Sequence, residues 1–215
     1  MTKKLLEIIG EKYPMTEIPA GEFATLKASG LKFKVSAYCA EGLGHVSVMT
    51  ASGFFGLMKM DTVMITPTEL DLPLYSYDRI YAMGNDTLIV ELYDTLTCEL
   101  DASALCGAKA EFAHLPERDA GEHWYDSIKL KESISKKGKK SHTPALDELT
   151  LKHFNAYLGL SVTAPSDTEK KRERTEYYVN GLLERGGPST DVFKKALGKE
   201  KTEELFKKVL FGIGK

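Results

Sequence analysis

The sequence predicts an α+β protein: an antiparallel sheet from the first half of the chain, covered by helices from the last third. Three observations predict it. Apolar and polar residues alternate with period 2 across much of residues 22–94, the mark of half-buried strands. Turn signals recur at short spacing between those runs, with no helical stretch between them, so neighbouring strands run antiparallel as hairpins. From Thr143 onward the apolar period lengthens to that of helices, and a run of strands followed by a run of helices is the pattern of a layered α+β domain.

The segment Met1 to Gly10 reads as a short amphipathic helix. Glu7 interrupts its apolar residues and no small-residue cleavage site follows, so it does not read as a secretion signal. Six strands are expected at about 22–28, 31–39, 45–51, 55–66, 76–83 and 87–94. The second shows the alternation best: Leu31, Phe33, Val35, Ala37 and Cys39 share one face, and Lys32, Lys34, Ser36 and Tyr38 the other. The joints fall at Ser29-Gly30, Gly42-Leu43-Gly44, Ser52-Gly53 and Gly84-Asn85-Asp86. Residues 95–140 carry no clear period. Their end is rich in lysine, with Lys129, Lys131, Lys136, Lys137, Lys139 and Lys140 around Gly138, and reads as a mobile loop. Helices are expected over 146–160, 168–185, 189–197 and 200–211. Thr143-Pro144 starts the first, a capping box from Ser166 to Glu169 the second, and Ser189 caps the third before Gly198 stops it.

Composition excludes several classes. At 215 residues with no low-complexity linker, the chain is expected to form one domain, 1–215. With 29 basic against 31 acidic residues, the net charge of −2 lacks the excess that bulk nucleic-acid binding leaves. No apolar run reaches the roughly 18 residues of a membrane span, so no membrane partner and a cytoplasmic location are expected. Cys39, Cys98 and Cys106 form no C-x-x-C, and the five histidines form no ligand pattern. The cysteines read as reduced thiols packed as small apolar groups, and no metal site is expected. No glycine-rich nucleotide-binding pattern occurs.

The chemistry centres on carboxylates among apolar neighbours. On the strand near 76–83, Ser76, Asp78, Ile80 and Ala82 share a face; on the strand before it, Leu57, Lys59, Asp61, Val63 and Ile65 do. Burial disfavours the ionised form, so such an acid holds its proton to higher pH, as a general acid must. Tyr75, Tyr77 and Tyr81 alternate on the opposite face and read as packing rather than a ligand platform. Trp124 reads as a core anchor, Asp71 as part of a turn, and Glu91 as solvent-exposed.

Two stretches carry a family resemblance. The run from Val63 to Asp78 holds Asp71-Leu72-Pro73 and an aspartate five residues beyond the proline. It resembles a strand pair of the ferredoxin-dependent bilin reductases, where Asp-Leu-Pro-x-Phe-Gly-x-Asp occurs; Tyr75 and Ser76 stand here in place of Phe-Gly. Residues 192–211 resemble the family's ending, with Leu197-Gly198 at the helix stop and Val209-Leu210-Phe211 at the close. The two matches occur in the family's order.

The resemblance implies a three-layer α/β/α sandwich around a central antiparallel sheet. It implies a linear tetrapyrrole held between that sheet and the C-terminal helices, with no cofactor of the protein's own. Reduced ferredoxin would deliver electrons singly while side chains supply protons. The family's central proton-donating aspartate falls on Asp78. Asp61 falls where relatives have histidine or asparagine, and is expected as a second acid or orienting group near Asp78. Ser47 falls where a catalytic glutamate stands, and the family's late acidic or amide position falls near Gly186. Ser47, Ser76 and Ile80 are expected to contact the substrate. An acidic donor needs a basic docking patch, for which Lys136, Lys137, Lys139 and Lys140 are the candidates. These departures leave a second possibility, a non-catalytic tetrapyrrole-binding or carrier protein on the same fold.

Overall fold

The computed structural model describes residues 1–187 and 189–214. Helix α1 (Thr2–Lys12) buries Leu5 and Ile9 and is followed by β1 (Met15–Ile18), a 3₁₀ turn over Gly21–Ala24, β2 (Thr25–Ala28) and β3 (Leu31–Ala40). Next come β4 (Gly44–Gly53), β5 (Met58–Pro67), β6 (Leu74–Ala82) and β7 (Asn85–Tyr93), each pairing with the next, with residues 68–73 connecting β5 to β6 and a two-residue turn connecting β6 to β7. Helix α2 (Ser103–Ala110), strand β8 (Ile134–Lys139), and helices α3 (Thr143–Leu158), α4 (Thr168–Arg185), α5 (Thr190–Leu197) and α6 (Lys199–Glu204) complete the chain, α6 running on into a π-helical turn over Leu205–Leu210.

The strands form one eight-stranded antiparallel sheet in the order β1-β3-β4-β5-β6-β7-β8, with β2 pairing the other end of β3. Helices cover both faces. On one, Leu5, Leu105, Leu146, Leu149, Phe154 and Tyr157 from α1, α2 and α3 pack on Val46, Val63, Tyr75, Tyr77 and Val90. On the other, Tyr178, Val179 and Leu182 of α4, Phe193 of α5 and the C-terminal turn pack on Phe33, Val35, Met49, Met64 and Tyr93. The result is the three-layer α/β/α sandwich with a central antiparallel sheet. Tyr75 and Tyr77 are fully buried, and burial pushes both phenols far up, as their reading as packing requires.

Two buried ion pairs fasten the layers. Arg79, with no exposed surface, donates to both carboxylate oxygens of Asp86, while Thr143 Oγ1 also donates to Asp86 and Asp147 lies 3.3 Å away. They join the β6–β7 hairpin to the start of α3. Asp71 accepts from the Thr97 and Cys98 amides and the Thr97 hydroxyl, and Lys171 of α4 lies 3.4 Å away. Burial alone would raise the Asp71 carboxyl, but these donors outweigh it and hold it below its usual value.

Several expectations change. The lysine-rich stretch is not a loop: Ile134–Lys139 is the edge strand β8, paired to β7. Lys136 faces inward and is buried, with its ammonium on the Leu115 carbonyl and the Glu117 carboxylate. It therefore cannot present charge to a partner, whereas Lys137, Lys139 and Lys140 are exposed. The expected 22–28 strand begins as a 3₁₀ turn, and β1 was not expected. Asp167, not Ser166, caps α4 by accepting from the Lys170 amide, and the Ser189 side chain makes no capping bond. All three cysteines are exposed rather than packed. Among the described residues, no helix is long and apolar enough to cross a membrane.

Candidate active site

Asp78 lies mid-strand in β6, and the register decides its company. Thr62 opposes it on β5 and Ile89 on β7; Ser76 lies between Met64 and Glu91, and Ile80 between Met60 and Thr87. Directly paired residues share a sheet face. Asp78 therefore faces α4 and the C-terminal turn, across a cavity of about 270 Å³. Its floor includes Met49, Met60, Thr62, Met64, Ser76, Ile80, Ile89 and Glu91, and its roof Tyr178 and Leu182 of α4 with Phe206, Leu210 and Phe211.

One wall is aromatic. Tyr93 stacks on Tyr178 at 3.9 Å between ring centroids, Tyr125 meets both edge-on, and His123 stacks on Tyr125 at 4.8 Å. Trp124 sits behind them, its indole N–H donating to the Gly186 carbonyl at 2.9 Å. Its ring lies so close to Gly181 that a Cβ there would stand 2.2 Å from it, so only glycine lets α4 approach this wall. The roof is tied down from the sheet. Ser47 Oγ donates to the Leu210 carbonyl at 2.7 Å, and His45 Nε2 lies 2.8 Å from the Val209 carbonyl. Gly212, at φ +65°, lets the chain pass within 2.4 Å of the His45 ring at the place a Cβ would occupy.

Asp78 has a raised pKa. Burial is the largest cause, opposed by the hydrogen bond from Thr62 Oγ1; Glu91 then raises it and Arg118 lowers it slightly. The net result is a carboxyl moved from 3.8 to about 6. It can therefore hold or release a proton near neutral pH, facing an otherwise mostly apolar floor.

The expected second acid is elsewhere. Asp61 opposes Arg79, one residue out of step with Asp78, so it points to the opposite face of the sheet. There it lies 3.9 Å from the amino group of Met1. Its place in the cavity is taken by Glu91, whose Oε2 accepts from the Tyr93 hydroxyl at 2.6 Å and whose Oε1 is 3.7 Å from Lys129 Nζ. The signal for Glu91 was the turn: Ala82 pairs with Asn85 across a two-residue Met83-Gly84 loop, both at positive φ. Placing the turn one residue later conceals which residues of β7 join Asp78. Ser76 and Ile80 line the cavity beside Asp78, while Ser47 does not; its hydroxyl is engaged in holding the roof. Arg118, His123 and Tyr125 come from the segment without a period and could not be placed from sequence. Among the described residues no group of three histidine, cysteine or acidic side chains is arranged to hold a metal ion.

No known family model matches the sequence, and no curated protein matches it. Among solved structures it is similar to phytochromobilin synthase from tomato, solved in complex with biliverdin, with a TM-score of 0.76. The match covers 99% of this chain and 83% of that one, at 15% sequence identity. At that identity the likeness establishes the fold, the α+β bilin reductase fold.

Proposed function

We propose that this protein reduces a linear tetrapyrrole, or a related tetrapyrrole, with Asp78 as the proton donor. The observation that carries the reading is the Asp78 carboxyl itself: it faces the cavity between sheet and C-terminal helices with a pKa raised to about 6. The similar tomato structure holds biliverdin, which supports a ligand of this class. Each double bond reduced takes up two electrons and two protons. The electrons come singly from an external donor, reduced ferredoxin, and no cofactor of the protein's own takes part. The protons pass through Asp78, which is recharged from solvent, with Glu91 tuning its acidity. Ser76 and Ile80 contact the ligand beside it. The exposed Lys137, Lys139 and Lys140 form the docking patch for the acidic donor.

The cavity volume of about 270 Å³ lies just under the roughly 300–1,000 Å³ common for small-molecule sites. Four of its lining residues are Met49, Met58, Met60 and Met64, whose unbranched side chains re-pack readily. Ligand entry therefore involves their displacement.

The test is an anaerobic titration of biliverdin, bound to the protein, with reduced ferredoxin, followed by absorbance. Wild type is expected to bind and reduce it. Asp78→Asn is expected to bind within about an order of magnitude but not to reduce, because an amide keeps the shape and has no acidic proton. Absence of any spectral change on mixing with biliverdin or other tetrapyrroles removes the reading. Binding without reduction by wild type leaves a carrier.

A further inference from the structure

Three hairpin tips lie together at one end of the sheet. The register places Gly53 opposite Leu31, Met58 opposite Ala82, and Ala82 opposite Asn85, so the β2–β3, β4–β5 and β6–β7 turns are neighbours. They carry large apolar side chains in water: Phe55 and Met83 are essentially fully exposed, Leu57 is 73% exposed and Phe54 55%. The Phe54 ring reaches toward Gly30 of the neighbouring tip, 3.8 Å from where a Cβ would stand there.

The backbone makes this more unusual. Phe54, Phe55 and Met83 sit at φ +51°, +56° and +51°, a region that favours glycine, asparagine and aspartate and is costly for bulky residues. A polar residue or glycine would suit these turns better, and side chains so exposed repay nothing to the fold. Their apolar character therefore serves a contact outside it.

The surroundings identify the contact. Lys27, Lys32, Lys59, Lys139 and Lys140 are all exposed around the tips. The acids that the register brings nearest are engaged internally, Asp86 with buried Arg79 and Asp61 with the N-terminal amino group. The exposed side chains stand on separate turns at the strand ends, beside an open depression of about 530 Å³ that Leu57, Lys59, Tyr81 and Lys140 help to line. Projecting apolar side chains ringed by cations match the interface of an anionic bilayer, where rings and aliphatic chains enter the headgroup boundary and lysines meet phosphates.

We infer that the hairpin tips dock this protein on an anionic lipid surface. The expectation of no membrane partner rested on the lack of a long apolar run, which a surface contact does not need. The inference is independent of the tetrapyrrole reading, although Met58 and Ile80 bring the Asp78 cavity to this same end of the sheet.

The test is co-sedimentation of the full chain with phosphatidylcholine vesicles, with and without phosphatidylglycerol. Wild type is expected to sediment with the mixed vesicles and much less with phosphatidylcholine alone. Phe55→Ser/Leu57→Ser is expected to lose tenfold or more in affinity by withdrawing apolar surface. Lys32→Glu/Lys59→Glu is expected to lose a similar factor, about fivefold per lysine or more. These lysines lie outside the proposed donor patch, so the readout does not depend on turnover. Phe55→Asn separates contact from folding: asparagine suits the backbone, so its thermal midpoint should hold or rise while vesicle binding falls. Failure of wild type to bind mixed vesicles overturns the inference. So does full binding by the Phe55/Leu57 variant, or a concentration-dependent dimer that the same variant abolishes, which would make a second copy of the chain the occupant.

Discussion

Replacing Asp78 with asparagine should stabilise the protein at neutral pH. Folding raises this carboxyl from 3.8 to about 6, so the folded chain holds a proton that the unfolded chain has already released between those values. Stability attributable to Asp78 therefore falls as pH rises from about 4 to 6, and stays lowered above. Roughly two pH units at about 1.4 kcal/mol each place the cost near 3 kcal/mol. Asparagine keeps an oxygen to accept from Thr62 Oγ1 but cannot ionise. Urea unfolding of both proteins should show the variant ahead by up to about 3 kcal/mol at pH 7, with the gain vanishing near pH 4. Wild type alone hides the effect. Burial lowers buried His153 from 6.5 to about 4, so stability attributable to His153 is lost as pH falls through the same window. The difference between the two proteins isolates Asp78. A variant less stable than wild type at pH 7, or a difference that ignores pH, would show that Asp78 is ionised and paired, and the acid role would fail with it.

Four further outcomes are expected. Glu91→Gln removes a charge that raises Asp78, so the pH profile of reduction should shift to lower pH; an unmoved profile detaches Glu91 from the site. Lys137→Glu/Lys139→Glu should slow reduction at low salt and little at high salt, because screening weakens steering. Lys136→Glu should instead cost about 3 kcal/mol or more of stability in urea, since it removes the ammonium from Glu117 and Leu115 and buries a carboxylate in its place. Asp61→Asn should leave reduction unchanged, because its side chain lies across the sheet from the cavity; a large loss in single-turnover rate would contradict the register.

What could be read from the sequence was governed by period and turn chemistry. The alternation in Leu31–Cys39, the helix start at Thr143-Pro144 and the stop at Gly198 are local signals, and the structure places β3, α3 and α5 where they point. Thr143 is nonetheless the first residue of α3, and its hydroxyl donates to Asp86 instead of capping. The grouping of Ser76, Asp78 and Ile80 on one face is likewise local and holds. Which face of β5 meets that of β6 is not local. It depends on the pairing across residues 68–73, and a shift of one residue exchanges Thr62 for Asp61 opposite Asp78. Lys136 was concealed for a different reason. A lysine in a polar run reads as solvated, and only Glu117 and the Leu115 carbonyl, some twenty residues earlier, make an inward ammonium acceptable in β8.

The same alternation explains how one short strand holds two charges with opposite fates. Asp78 and Arg79 are adjacent in sequence, yet the pleat sends them to opposite faces of the sheet. Arg79 enters the α3 face, where Asp86 takes its charge and Asp147 adds a second carboxylate. Asp78 enters the cavity face, where its hydrogen bond comes from a neutral hydroxyl and the charge that acts on it most is the like charge of Glu91. Were the guanidinium on the same face, it would hold the carboxyl ionised and lower its pKa, as an adjacent cation does. The sheet thus acts as an insulating layer between an ion-paired side that fastens α3 to the β6–β7 hairpin and a side on which an acid holds its proton up to about pH 6. Asp61, opposite Arg79, belongs to the first side by register, and that is why a second acid in the sequence does not become a second acid in the site.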